Sequence, residues 1–127
     1  MSVERRVSAF YDIADAALDA ATLLSDGGNR NAGYHLQQAV EKLTKGLLLQ
    51  RGREAGLEHR IDALIARLAP EDPWCARLHP FARWSTFATT FRYPTIGGRV
   101  AEGAKSGDVT ADVAAVRSLI ATARAER

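Results

Sequence analysis

The 127-residue chain is long enough for one domain with a proper hydrophobic core and too short for two. With 46% hydrophobic and 25% charged residues it is not a disordered chain. Its 17 basic and 15 acidic residues leave a net charge of +2, and no Lys/Arg run exceeds two, so charge alone does not mark a nucleic-acid binder. Cys75 is the only cysteine, which rules out an internal disulfide. The N-terminal residues lack the apolar run of a secretory signal, and no stretch approaches the roughly 20 apolar residues of a membrane span. A cytoplasmic protein with no membrane partner is expected.

Residues about 3–25 read as a helix. Val7, Phe10, Ala14, Ala17, Ala21 and Leu24 recur in steps of three and four as one apolar stripe. Asp12, Asp15, Asp19 and Asp26 fall on the other side. Asp26-Gly27-Gly28-Asn29 ends the helix. A second helix is predicted over about 30–51, with Leu36, Ala39, Val40, Leu43 and Leu47 as its core face. Gln38, Glu41, Lys42 and Lys45 lie nearly opposite, yet Tyr34, Leu48 and Leu49 flank that polar arc. A purely solvated face has no use for those apolar neighbours, so this helix is expected to bury two sides, the second against another surface.

Gly52 and Gly56 break the pattern, and Ile61, Leu64, Ile65 and Leu68 predict a short helix ending before Pro70. Asp72-Pro73 starts a short turn over 73–78. His79-Pro80 opens a fourth, long helix over 80–92, whose Phe81, Trp84, Phe87 and Phe91 are assigned to core or dimer packing. Residues 93–108 read as a glycine-rich loop. Gly98-x4-Gly103-Ala-Lys105-Ser106 only loosely imitates a phosphate loop and has no strand before it. The last helix is placed at about 110–125, capped by Thr110.

The run Gln37-Gln38-Ala39-x-Glu41-Lys42-x-x-Lys45 resembles the signature helix of HEPN domains, named for higher eukaryotes and prokaryotes nucleotide-binding. His59 before Ile61 and Leu64, and Arg92-Tyr93-Pro94 further on, are similar to later pieces of that family's pattern. The resemblance covers roughly residues 8–95 and adds a final helix of the expected kind. It implies an all-α, up-and-down helical bundle of about five helices as a single domain over 1–127. It also implies frequent homodimers, a minimal nucleotidyltransferase as partner, and toxin–antitoxin pairing.

HEPN ribonucleases carry an Arg-x(4–6)-His motif late in the domain. Here His79 is the last histidine, and Arg92 has none after it. Two displaced pairs exist, Arg30-x4-His35 and Arg53-x5-His59, but residues five apart on a helix diverge by about 140°. The expected function is therefore a non-catalytic, dimeric binding or regulatory module acting with a nucleotidyltransferase-like partner. The alternatives are a metal-independent endoribonuclease using a displaced Arg–His pair, and a nucleotide-binding helper with Lys42 and Lys45 at the anion. No cofactor and no metal site is expected.

For Gln38, Glu41, Lys42 and Lys45 a subunit or partner interface ranks ahead of a solvated face, and that ahead of a nucleotide or phosphate site. Leu49 is the expected contact of the dimer strip, and Arg92 and Tyr93 join it as interface or binding residues. Asp15 and Asp19 stand on a solvated face, hold Mg²⁺ together with Asp12, or pair with Lys42 or Lys45; the last two options stay open.

Overall fold

The computed structural model describes residues 2–127, the side chain of Thr90 excepted. Ser2 starts the first helix, its hydroxyl accepting from the Arg5 amide at 3.2 Å. Helix α1 then runs Val3–Asp26, α2 Ala32–Gln50, α3 Ile61–Ile65, α4 Trp74–Leu78 and α5 Ser106–Ala125. Two 3₁₀ segments, His79–Ala88 and Thr90–Arg92, lie between α4 and α5, and no strand occurs among the described residues. Helices α1 and α2 end alike. Asn29 N–H donates to Leu24 C=O and Arg53 N–H to Leu48 C=O, both at 2.8 Å, across glycines with φ of 69° (Gly28) and 73° (Gly52). A side chain with a Cβ resists that conformation, which is why Gly28 and Gly52 punctuate the chain.

The most extensive packing in the molecule is α1 along α2. The buried stripe of α1 is Val7, Tyr11, Ala14, Leu18, Ala21 and Ser25. It shares Val7, Ala14 and Ala21 with the expected stripe. Phe10, Ala17 and Leu24 pack at its edge instead, because Tyr11 and Leu18 bring the bulk to the other side of the small alanines. In the Asp row Asp12 and Asp19 stay largely exposed, at 70% and 74%, and the row also meets two arginines of α5. Arg117 of α5 reaches Asp15 at 3.6 Å and Asp19 at 2.9 Å, and Arg124 reaches Asp12 at 2.9 Å and Asp15 at 2.8 Å. Thus α5 is zipped to α1, and neither Asp15 nor Asp19 meets Lys42 or Lys45.

Three elements differ from expectation. Residues 79–92 wind as 3₁₀ rather than α-helix. With three residues per turn, Phe81, Trp84 and Phe87 eclipse in one row; Trp84 and Phe87 sit 5.1 Å apart, and Phe91 stacks on Phe87 at 4.2 Å. Trp84 Nε1 donates to Asp112 at 2.6 Å, and Ser85 Oγ accepts from the Ile61 amide at 2.9 Å, holding the row against α5 and α3. Helix α5 starts at Ser106, four residues before Thr110, after an extended Lys105. Finally, Leu48 and Leu49, expected to meet a second surface, are covered by their own chain at 0% and 5% exposure.

Helix α2 is the central rod of the fold, and it meets α1 closely at Gly46. A Cβ there would stand 2.6 Å from Cε1 of the buried Tyr11 ring. Gly46→Ala is therefore expected to cost about 1–3 kcal/mol of overpacking. That exceeds the roughly 1 kcal/mol that alanine regains over glycine within a helix. Urea denaturation checks it: a lower midpoint is expected, and an equal or higher one contradicts the close contact.

Candidate functional site

The polar face of α2 turns inward. Glu41 is 0% exposed and Lys45 7%, while Gln37 is likewise buried. Steps of four along a helix place side chains on one face, so Gln37, Glu41 and Lys45 stack in a column with Lys42 beside it. Both carboxylate oxygens of Glu41 are occupied. Oε1 accepts from Gln37 Nε2 at 3.3 Å and lies 3.1 Å from His59 Nδ1. Oε2 accepts from Lys42 Nζ at 2.5 Å, with Lys45 Nζ at 3.6 Å. Gln37 Nε2 also donates to the His59 carbonyl at 3.2 Å, and Gln38 Nε2 donates to Gln37 Oε1 at 2.8 Å. The column therefore grips His59 by backbone and ring together, and docks the loop between α2 and α3.

Burial acts to raise the pKa of Glu41, but the Lys42 hydrogen bond and charge, the Lys45 charge and the His59 hydrogen bond outweigh it. The carboxyl is held below its usual range and stays ionised. An ionised carboxylate only accepts, so His59 Nδ1 carries the hydrogen and Nε2 is left for solvent. The His59 side chain is 64% exposed. Lys42 and Lys45 thus already face an anion inside the protein.

The two displaced Arg–His pairs come apart. Arg30 donates through Nε to the Ala101 carbonyl at 3.1 Å and through Nη2 to the Phe91 carbonyl. Arg53 donates to the Arg67 carbonyl while His59 turns to Glu41. The grouping that does form was not evident from spacing. The Arg92 guanidinium lies 4.6 Å over the Tyr34 ring, and His35 meets the same ring edge-on at 5.3 Å. Arg92, on the second 3₁₀ segment, lies 58 positions from Tyr34 and 57 from His35 on α2, and only the fold unites them. Tyr93, beside them in sequence, is 65% exposed. Leu49 remains buried within the chain.

Gln37 and His59 are the members of the column whose role the spacing understated. The signal was present: Gln37 stands four residues before Glu41, as Lys45 stands four after. Among the described residues no group of three His, Cys, Asp or Glu side chains converges to hold a metal ion. Nor is any described helix long and apolar enough to cross a membrane.

The column makes stability acid-sensitive. A carboxyl whose folded pKa is depressed contributes fully above its unfolded value, near 4.5, and loses that contribution as pH falls through the folded value. Glu41→Gln is expected to lower stability at pH 7 by roughly 3 kcal/mol, since it strands two lysines, and to flatten the acid limb of the stability curve. Lys42→Ala with Lys45→Ala leaves Glu41 buried without its cations and is expected to melt well below wild type. Melts of both variants from pH 7 to pH 3 test this; unchanged melting would mean the column bears no load.

No curated relative and no solved structure matches the chain. The HEPN domain model matches residues 7–125, nearly all of it. Built on an all-helical fold with the signature run folded into a buried charge column, this chain belongs to the HEPN domain family.

Proposed function

We propose that this chain is a non-catalytic HEPN module that works by binding. In this reading it is a cytoplasmic homodimer acting with a nucleotidyltransferase-like partner, of the sort found in toxin–antitoxin pairs. The observation that carries the reading is the engagement of Arg30. A displaced Arg–His ribonuclease site needs its guanidinium free to meet the phosphate, and Arg30 already donates to two backbone carbonyls. Arg53 is similarly engaged with Arg67 C=O. The engagement of Lys42 and Lys45 with Glu41 also disfavours a nucleotide held by those lysines.

A second reading has one observation in its favour. Arg92 and His35 both contact the Tyr34 ring, which brings an arginine and a histidine near one place on the surface. In a metal-independent ribonuclease His35 would take the 2′-hydroxyl proton while Arg92 bound the phosphate; the 2′-oxygen would displace the 5′-oxygen and leave a 2′,3′-cyclic phosphate.

One assay separates the two. Labelled single-stranded RNA and tRNA are incubated with the protein in EDTA, and ends bearing 2′,3′-cyclic phosphate are sought. No cleavage above buffer is expected. Cleavage that disappears in both His35→Ala and Arg92→Ala would replace the binding reading with the ribonuclease one.

A further inference from the structure

Arg30 does more than occupy a guanidinium. Its two acceptors, the carbonyls of Phe91 and Ala101, flank residues 92–100 and draw the two ends of that loop together. Inside the neck the chain turns back on itself. Gly98 N–H donates to Thr95 C=O and Thr95 N–H to Arg99 C=O, both at 2.8 Å, and Arg99 N–H donates to Thr95 Oγ1 at 3.0 Å. A loop closed this firmly presents a defined surface. That surface is apolar: Ile96 at the tip is fully exposed, Val100 is 74% exposed and Tyr93 65%. Arg92 and Arg99 flank it, and residues 92–101 contain no acid.

Beside this protrusion lies its complement. A groove of about 660 Å³ runs between the C-terminal part of α1 and α5, with Val109 and Val113 at its floor and Ala114 and Ala121 along one wall. Asp26 stands at its rim, and the charge of Arg117 there is balanced by Asp15 and Asp19. The groove is thus apolar with an acidic edge, and the loop is apolar with basic edges. They are neighbours: Ser25 lines the groove and also a small cleft with Arg30, Gly103 and Ala104 at the loop's neck.

We propose that the Arg30-clamped loop of one copy seats in the α1–α5 groove of a second copy, and the second copy's loop in the first copy's groove. The chain's own groove is not its target, since Ile96 touches nothing in its own chain. Single-stranded RNA is the poorer occupant, because stacking successive bases needs several aromatic faces and the loop offers only Tyr93 beside Ile96 and Val100. Protrusion and groove on different ends of a molecule would build an open chain of copies. Placed side by side, they are satisfied together by a single two-fold axis. The inference rests on the dimeric part of the proposed function and names the surface that carries it.

The test uses the full chain and two exposed positions, Ile96→Asp in the loop and Ala114→Arg in the groove. Wild type is expected to sediment at about twice 13.8 kDa at micromolar concentration. Each variant should keep its helical circular dichroism and weaken association by about tenfold or more in Kd. An equimolar mixture of the two variants should recover part of the association. The mixed dimer keeps one intact contact, formed by the wild-type loop of the groove variant and the wild-type groove of the loop variant. A monomeric wild type overturns both this inference and the dimeric reading. A dimer that survives both variants, or a mixture that recovers nothing, overturns the inference alone. Loss of fluorescent RNA binding in Ile96→Asp with unchanged mass would assign the loop to nucleic acid and overturn it too.

Discussion

A carboxylate placed inside a helical core is the constraint around which this molecule is arranged. Glu41 has no exposed surface, and an unpaired charge there would cost several kcal/mol. Its position on α2 therefore demands donors from every direction, and the neighbouring residues supply them. Gln37 comes from one turn earlier, Lys45 from one turn later, Lys42 from the next position and His59 from the following loop. Fixing His59 fixes where α3 begins, since Ile61 opens that helix two residues on. The path from α2 into the second half of the domain is in this way a consequence of one buried charge. A hydrophobic residue at position 41 would remove the buried carboxylate, but it would strand Lys45 and Gln37 and would not select where His59 sits.

That arrangement explains how far the fold and the candidate site were legible in the sequence. Helices α1 and α2 were readable because their apolar steps extend over many turns and end at Gly28 and Gly52, where the backbone needs glycine. The inward turn of the polar face was half readable. Tyr34, Leu48 and Leu49 beside Gln38 and Lys42 signalled a second buried side, but nothing local says whether the covering surface belongs to this chain or another. The 3₁₀ segment was misread because Phe81, Trp84 and Phe87 satisfy an α-helical stripe nearly as well as a three-residue turn. The regular step of three was the distinguishing mark. The start of α5 was missed because Gly103 and Gly107 read as loop, although Gly107 lies inside the helix. The meeting of Arg92 with Tyr34 and His35 had no sequence signal, since Arg92 lies on a different element from the other two.

Arginine carries much of the remaining architecture, and it does so through carbonyls as often as carboxylates. Arg30, Arg53 and Arg67 each donate to backbone oxygens at the edges of loops. Arg117 and Arg124 join α5 to the Asp row of α1. A planar guanidinium with several donors in fixed directions suits both uses. The near-equal count of acids and bases leaves only a small positive excess, and many of the arginines are committed to tying elements together. This is why a pI near 9 says so little about partners.

The commitment of Arg30 links chemistry to assembly. A guanidinium that closes the neck of the 92–100 loop cannot leave for a phosphate without releasing that loop. Using Arg30 for catalysis would therefore dissolve the surface formed by Tyr93, Ile96 and Val100, whereas holding the loop preserves that surface and removes the arginine from chemistry. The two roles exclude each other at one side chain. Arg92 is under no such conflict, because its guanidinium lies over the face of Tyr34 and is not the group that closes the loop. Phosphate binding through Arg92, at the neck of the same loop whose shape Arg30 maintains, would leave that loop intact.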